Sequence, residues 1–225
     1  MYKRQSLSQQ VDVIRIADDA TSYDLVINFS EALPSYSTIE YSLDGGATTT
    51  SSASSGDNTL VIPIAFDEDK FYRDVVLSDF IVVNAAARRF STSITGNSSL
   101  RIARQGTIFA APGSVEITVT WSDSSKDLDI FLIEGNQDLG GALLDDSQGT
   151  TTTEQVVLSA DEEGVFSLFM YEWNFDYPVD YEINYVFEDG QVLSFDSNIT
   201  SDSFQFTMSK SNDGAQMICY INKIE

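Results

Sequence analysis

The chain reads as an all-β protein of two tandem antiparallel β-sandwiches, and three observations predict it. Apolar and polar residues alternate with period two along much of its length, as in Val115-Glu116-Ile117-Thr118-Val119-Thr120-Trp121. That alternation marks a strand with one dry and one wet face. Turn formers punctuate these runs at short intervals, at Asp18-Asp19, Leu33-Pro34-Ser35, Asp44-Gly45-Gly46, Gly96-Asn97 and Ala111-Pro112-Gly113. Runs of helical period built from Ala, Leu, Lys and Glu are nearly absent. With 225 residues, 42% of them apolar and 12% aromatic, the chain has material for two cores of ordinary size.

The strands follow in order. In the first half, Val11–Ala17, Tyr23–Ser30, Thr38–Leu43, Thr59–Ala65, Val75–Val83 and Ser99–Ala103 are expected. Val13, Leu25, Ile27, Phe29, Ile39, Tyr41 and Leu43 alternate with polar neighbours, and Pro63 marks an edge strand or a bulge. The Thr/Ser run Thr48–Ser55 is expected to be an extended hairpin loop, with a glycosylated tip as the sharper alternative. Asp67–Asp74 and Asn84–Arg89 are weak candidates for short helical turns. In the second half, Ile108–Ala110, Val115–Trp121, Leu128–Ile133, Gln155–Ser159, Val165–Tyr171, Val179–Phe187, Val192–Phe195, Ser203–Met208 and Gln216–Asn222 are expected. Asp189-Gly190, between two alternating runs, is the strongest hairpin signal in the chain. The boundary between the halves is placed near Arg104–Gly106, giving domains at 11–104 and 105–225. Residues 1–10 are expected to be disordered or artefactual, because MYKRQ matches one reading frame of a transposon adaptor used in sequencing libraries. An export signal is then expected upstream of this fragment.

Charge is distributed unevenly. The formal net charge of −23 divides into −4 over residues 1–105 and −19 over residues 106–225. So acidic a surface repels nucleic acid, whose binding depends on cations that displace condensed counterions, and it repels anionic membranes as well. No apolar run approaches the length that spans a bilayer, so no membrane insertion by these residues is expected. The chain has no histidine, which excludes Ser-His-Asp and Cys-His catalysis and imidazole-based zinc sites. Its single cysteine, Cys219, lies in an apolar strand and is expected to be a buried small hydrophobe. Glycosidase chemistry needs only two carboxylates, but acid pairs are too plentiful here to single one out. Enzyme function is not expected.

Two stretches carry candidate sites. Asp123, Asp127 and Asp129 crowd the connection between two strongly alternating strands, where their repulsion calls for screening by water or a cation. Calcium, a hard cation with oxygen ligands, is the candidate cofactor; ordinary turn-forming aspartates are the alternative. Asp145-Asp146 is a second acidic pair. The other stretch is Tyr171-Glu172-Trp173-Asn174-Phe175-Asp176-Tyr177-Pro178. Its aromatics can stack on sugar C–H faces while polar groups take hydroxyls, and Glu172, Trp173, Asp176 and Tyr177 are the candidate ligand-binding residues. Alternatively, the rings fill one end of the sandwich.

The first half resembles the immunoglobulin-like modules of bacterial surface proteins, with a likeness to Calx-beta domains, through Tyr41-Ser42-Leu43-Asp44-Gly45-Gly46 and Leu60-Val61-Ile62-Pro63-Ile64. No ligands carry over from that likeness. The second half resembles the jelly-roll sandwiches grouped with bacterial pre-peptidase C-terminal and galactose-binding-like domains. The resemblance rests on Val119-Thr120-Trp121, Asp127-Leu128-Asp129-Ile130-Phe131-Leu132, Gly164-Val165-Phe166-Ser167-Leu168 and Tyr181-Glu182-Ile183-Asn184-Tyr185. It implies an immunoglobulin-like sandwich followed by a jelly-roll-like one. It also implies a non-catalytic, extracellular or cell-surface module pair of a bacterial protein, with a glycan or surface protein as partner. A purely structural stalk or adhesin spacer is the alternative.

Overall fold

The computed structural model describes residues 12–30, 32–33, 36–53, 58–67, 70–83, 89–91 and 98–224. Among these every regular element is a strand. The expectations for residues 1–10, for Asn84–Arg88 and for the Gly96-Asn97 turn lie outside the described residues. Two compact units divide the chain, residues 1–105 and 106–225.

The first unit holds β1 (Asp12–Ile16), β2 (Ser22–Asn28), β3 (Ser37–Leu43), β4 (Thr49–Ala53), β5 (Thr59–Ala65), β6 (Tyr72–Val83), β7 (Arg89–Ser91) and β8 (Ser99–Arg104). One sheet runs in the order β1-β8-β6-β3-β4, with β7 also on β6, and β2 pairs with β5 in a second sheet. The pairings are antiparallel except β1 with β8, which is parallel from Asp12↔Leu100 to Ile16↔Arg104. Inward residues of both sheets, among them Ile39, Ile62, Ile64, Val75 and Ile102, form the core. Thr49–Ala53, expected as loop, is strand β4 on the free side of β3; its Thr/Ser sequence has no apolar face to betray it. Tyr72–Asp74, expected as part of a helical turn, opens β6 and pairs with β8. Pro63 sits on β5, where a missing N–H costs least because β5 has a single described partner. Buried Arg104 ties the loops at one end. Its Nε donates to Lys70 O at 2.8 Å, its other nitrogens reach the carbonyls of Asp18 and Asp67, and the guanidinium lies 5.0 Å from the Phe66 ring centroid.

The second unit holds β9 (Thr107–Ala110), β10 (Val115–Trp121), β11 (Leu128–Glu134), β12 (Leu143–Ser147), β13 (Thr153–Leu158), β14 (Gly164–Glu172), β15 (Val179–Phe187), β16 (Val192–Ile199), β17 (Ser203–Asn212) and β18 (Met217–Lys223). A four-stranded sheet, β13-β10-β15-β16, faces a six-stranded one, β12-β11-β14-β17-β18-β9. All of these pairings are antiparallel. Odd-numbered residues of β10 and β15 meet Leu128, Ile130, Leu132, Phe166, Leu168, Met170 and Phe206 in one core, so a period-two pattern on each sheet closes the sandwich. Asp189-Gly190 makes the expected hairpin: Gly190 has φ 86° and Gly190 N donates to Phe187 O at 2.8 Å. Cys219 is a buried core residue, and burial pushes its thiol up to about 12.

Trp121 is 3% exposed, and its indole Nε1 donates to Lys126 O at 3.0 Å. Replacing it with Ala removes the largest side chain of β10's core face together with a hydrogen bond that shapes the next loop. Equilibrium denaturation of Trp121→Ala is expected to show a loss of about 3–5 kcal/mol. A smaller loss would mean that the ring lies outside the core.

Candidate functional site

The loops β10–β11 and β14–β15 meet at one end of the second sandwich, and a single carboxylate joins them. Glu172 ends β14 in the same alternation phase as Leu168 and Met170, so it points inward and is 0% exposed. Its Oε2 accepts from Asp176 N at 2.6 Å and its Oε1 from Asp127 N at 3.2 Å, with Asn174 Nδ2 at 3.5 Å. The backbone completes the joint: Trp173 N donates to Asp127 O at 2.8 Å and Phe175 N to Glu172 O at 3.0 Å. Lys126, on the first loop, clamps the second by donating to Asp176 O and pairing with Asp176 Oδ2, each at 2.6 Å. Tyr177 O–H donates to Asp202 Oδ1 and accepts from Glu172 N at 2.9 Å, while its ring packs on the core. Burial and the bond to Asp202 push the Tyr177 phenol up to about 12.

This geometry divides the four residues expected to bind a ligand. Trp173 stands out at 58% exposed, and its neighbour Phe175 at 70%. Phe175 also has φ 56°, a left-handed conformation that an aromatic side chain rarely adopts. Glu172 is corrected from hydroxyl-orienting residue to internal brace, because its oxygens are occupied by the loop's own amides. Asp176 is engaged by Lys126 but remains exposed, and Tyr177 is half-buried as a strut. The alternative in which the rings fill the sandwich end holds for Tyr177 alone.

The three aspartates expected to bind calcium are held apart by different tasks. Asp123 Oδ1 accepts from Ser125 N at 2.9 Å and Ser125 Oγ at 2.6 Å, closing its own turn, and these bonds lower its pKa. Asp129 is 3% exposed on the opposite phase of β11 from the core and bonds the Tyr171 hydroxyl. Asp127 Oδ1 is buried without a hydrogen-bond partner. Among the described residues no group of three or more His, Cys, Asp or Glu is placed to hold a metal ion. Asp123 caps its own turn, Asp129 is buried against Tyr171, and half-buried Asp127 keeps one oxygen unpartnered, so the three do not form a preformed ligand set. Melting curves in calcium and in chelator are expected to coincide. A rise in melting temperature with calcium, abolished by Asp127→Asn, would restore the metal reading.

Burial raises the Asp129 pKa, and nearby Asp127, Glu154 and Asp146 add to the rise, against the Tyr171 hydrogen bond that lowers it. Its charged form is thus penalised in the folded state. The penalty is absent below the unfolded carboxyl value, about 3.9, and grows as pH rises through the higher folded value. Asp129→Asn keeps the shape without the charge, so it is expected to melt higher than the parent at pH 7 and to lose that advantage at pH 3. Unchanged stability at both would place the Asp129 carboxylate in an environment as favourable as water.

Rings outside the expected set also meet here. Phe131, Phe169 and Tyr171 occupy the phase of β11 and β14 opposite the core, and Phe204 lies opposite Phe169 on β17. Phe131 stacks on Tyr171 at 5.7 Å and 13°, Phe169 meets Phe204 edge-on at 5.3 Å, and Tyr171 lies 6.2 Å from Trp173. The signal was present in Asp129-Ile130-Phe131-Leu132 and Leu168-Phe169-Met170-Tyr171, strands that are apolar on both phases. A strand with one wet face does not need that.

No family model matches the chain, and no curated protein matches it. Among solved structures it is similar to the crystal structure of CBD12 from CALX1.2. The match has 13% identity and a TM-score of 0.27, and covers 80% of this chain and 80% of that one. A likeness at that score carries no weight for fold or function, so both rest on the chain's own geometry.

Proposed function

We propose that this chain is a non-catalytic module pair of a bacterial secreted or cell-surface protein, whose second sandwich binds a glycan at the β14–β15 loop. One observation carries the reading. Residues 172–177 are over-determined by internal hydrogen bonds, yet they hold Trp173 and Phe175 in water, 58% and 70% exposed. Exposing two large rings from a braced loop forfeits hydrophobic stabilisation, and keeping Phe175 at φ 56° adds backbone strain of about 1–3 kcal/mol. A rigid, exposed aromatic is what a sugar's C–H face requires, because little ordering remains to be done on binding. Asp176 and Asn174 flank the rings as hydrogen-bonding groups. The lack of histidine and the structural engagement of Glu172, Asp123 and Asp129 favour recognition over catalysis. The first sandwich serves as spacer in this reading.

The test is a glycan array probed with the intact chain, followed by Trp173→Ala. The variant is expected to lose measurable binding while its melting temperature stays within about 2–4 °C of the parent, the shift produced by about 1 kcal/mol in a domain of this size. An array without hits, or a Trp173→Ala chain that unfolds, would leave the spacer as the function.

A further inference from the structure

We infer that the glycan site is a strip rather than a pocket. It runs from the β14–β15 loop across the outer face of the six-stranded sheet, and its ligand is the interior of an extended, uncharged polysaccharide chain. The inference rests on the glycan reading of Trp173 and names the ligand class. Phe131, Phe169 and Phe204 are successive register partners on β11, β14 and β17, so they form a line at right angles to the strands. Their ring centroids lie 6.4 and 5.3 Å apart. Tyr171 joins this line to Trp173, which makes one aromatic surface continuous from the loop to β17. None of these five rings belongs to the core between the sheets. Rings in file across three strands match a long ligand that crosses the strands rather than a single terminal sugar.

Charge selects the ligand class. The unit carries −19, which repels polyanions such as uronic-acid polymers and phosphate-bearing glycans. Carboxylates also border the ring line: Asp129 is bonded to the Tyr171 hydroxyl and Asp202 to that of Tyr177, and exposed Asp146 is the register partner of Phe131. Carboxylates beside the rings accept from hydroxyls and repel anions, so the face suits a partner with hydroxyls and no negative charge.

The experiment measures affinity electrophoresis and calorimetry of the full chain against soluble neutral glucan, xylan and mannan, and against their oligosaccharides from the disaccharide upward. Alginate serves as the polyanion control. Affinity is expected to climb with chain length, with no retention by alginate. Phe204→Ala and Phe131→Ala are each expected to weaken polymer binding about tenfold while leaving the shortest bound oligosaccharide unaffected. Trp173→Ala abolishes both. Affinity independent of length in the unmutated chain, or polymer binding unchanged in both phenylalanine variants, overturns the strip and leaves the loop site standing. Failure of every neutral polymer and oligosaccharide to bind overturns the strip and the loop reading together. The length series needs no substitution, so it decides the matter even if a variant fails to fold.

Discussion

A carboxylate can lie inside a protein only where hydrogen-bond donors replace its lost water, and Glu172 meets that condition with the backbone of two loops. Burying an unpaired ion costs several kcal/mol, while each charge-assisted hydrogen bond contributes about 1.5–3 kcal/mol. The amides of Asp127 and Asp176 are therefore recruited with force. Once they are fixed, the remaining features of the end of the sandwich follow. Lys126 is brought within 2.6 Å of Asp176, Trp173 N is turned to Asp127 O, and Trp173, next in the strand alternation after inward Glu172, faces the other way. Exposure of Trp173 and Phe175 is thus a consequence of Glu172 pointing inward.

The same logic explains how a unit with three cationic and twenty-two anionic side chains folds at all. Beside the Lys126–Asp176 ion pair, several of its carboxylates are satisfied locally by amides and hydroxyls. Asp189 accepts from Gln191 N, Asp213 from Ala215 N and Gln216 N, and Glu154 from Gly149 N, each bond tying a turn to itself. Such bonds are unaffected by the shortage of Lys and Arg, and they order the connections between strands. Where a carboxylate lacks enough donors, the cost surfaces as a raised pKa, as at Asp129, or as an orphaned oxygen, as at Asp127. Asp127 lies on the loop just before β11, where its carbonyl accepts from Trp173 N, and Asp129 lies on β11 opposite Tyr171.

How much of this was legible in the sequence depended on whether a residue's phase was read as well as its type. Trp121, Val119, Ile117 and Val115 share one phase, and their burial together is a direct reading of alternation. Glu172 was equally legible, since it continues the phase of Leu168 and Met170, but its acidic side chain drew attention to ligands instead of to burial. The Thr/Ser strand β4 was not legible because it has no apolar face, and Leu143–Ser147 because it is an edge strand that turns Leu144 alone to the core. The separation of Asp123 from Asp129 was hidden for a different reason. Proximity along the chain does not reveal that one carboxylate turns back on Ser125 while the other crosses to Tyr171.

The outer phase of β11 and β14 carries Phe131, Phe169 and Tyr171, which pack on one another and stay only half-buried. Phe131 and Tyr171 exclude water from their shared faces, yet each remains partly exposed. Core packing gives no reason for four adjoining aromatics on the outer phase of a sheet and a fifth on the adjoining loop, or for Phe175 at φ 56° on that loop. The surplus is concentrated on one face and continuous with a loop whose geometry is fixed by a buried charge. A partner that lies across several strands at once would use such a face fully, and it would find the face already ordered. The rigidity imposed by Glu172 thus matters twice: it keeps Trp173 out of the core, and it removes the entropy that a mobile loop would lose on binding.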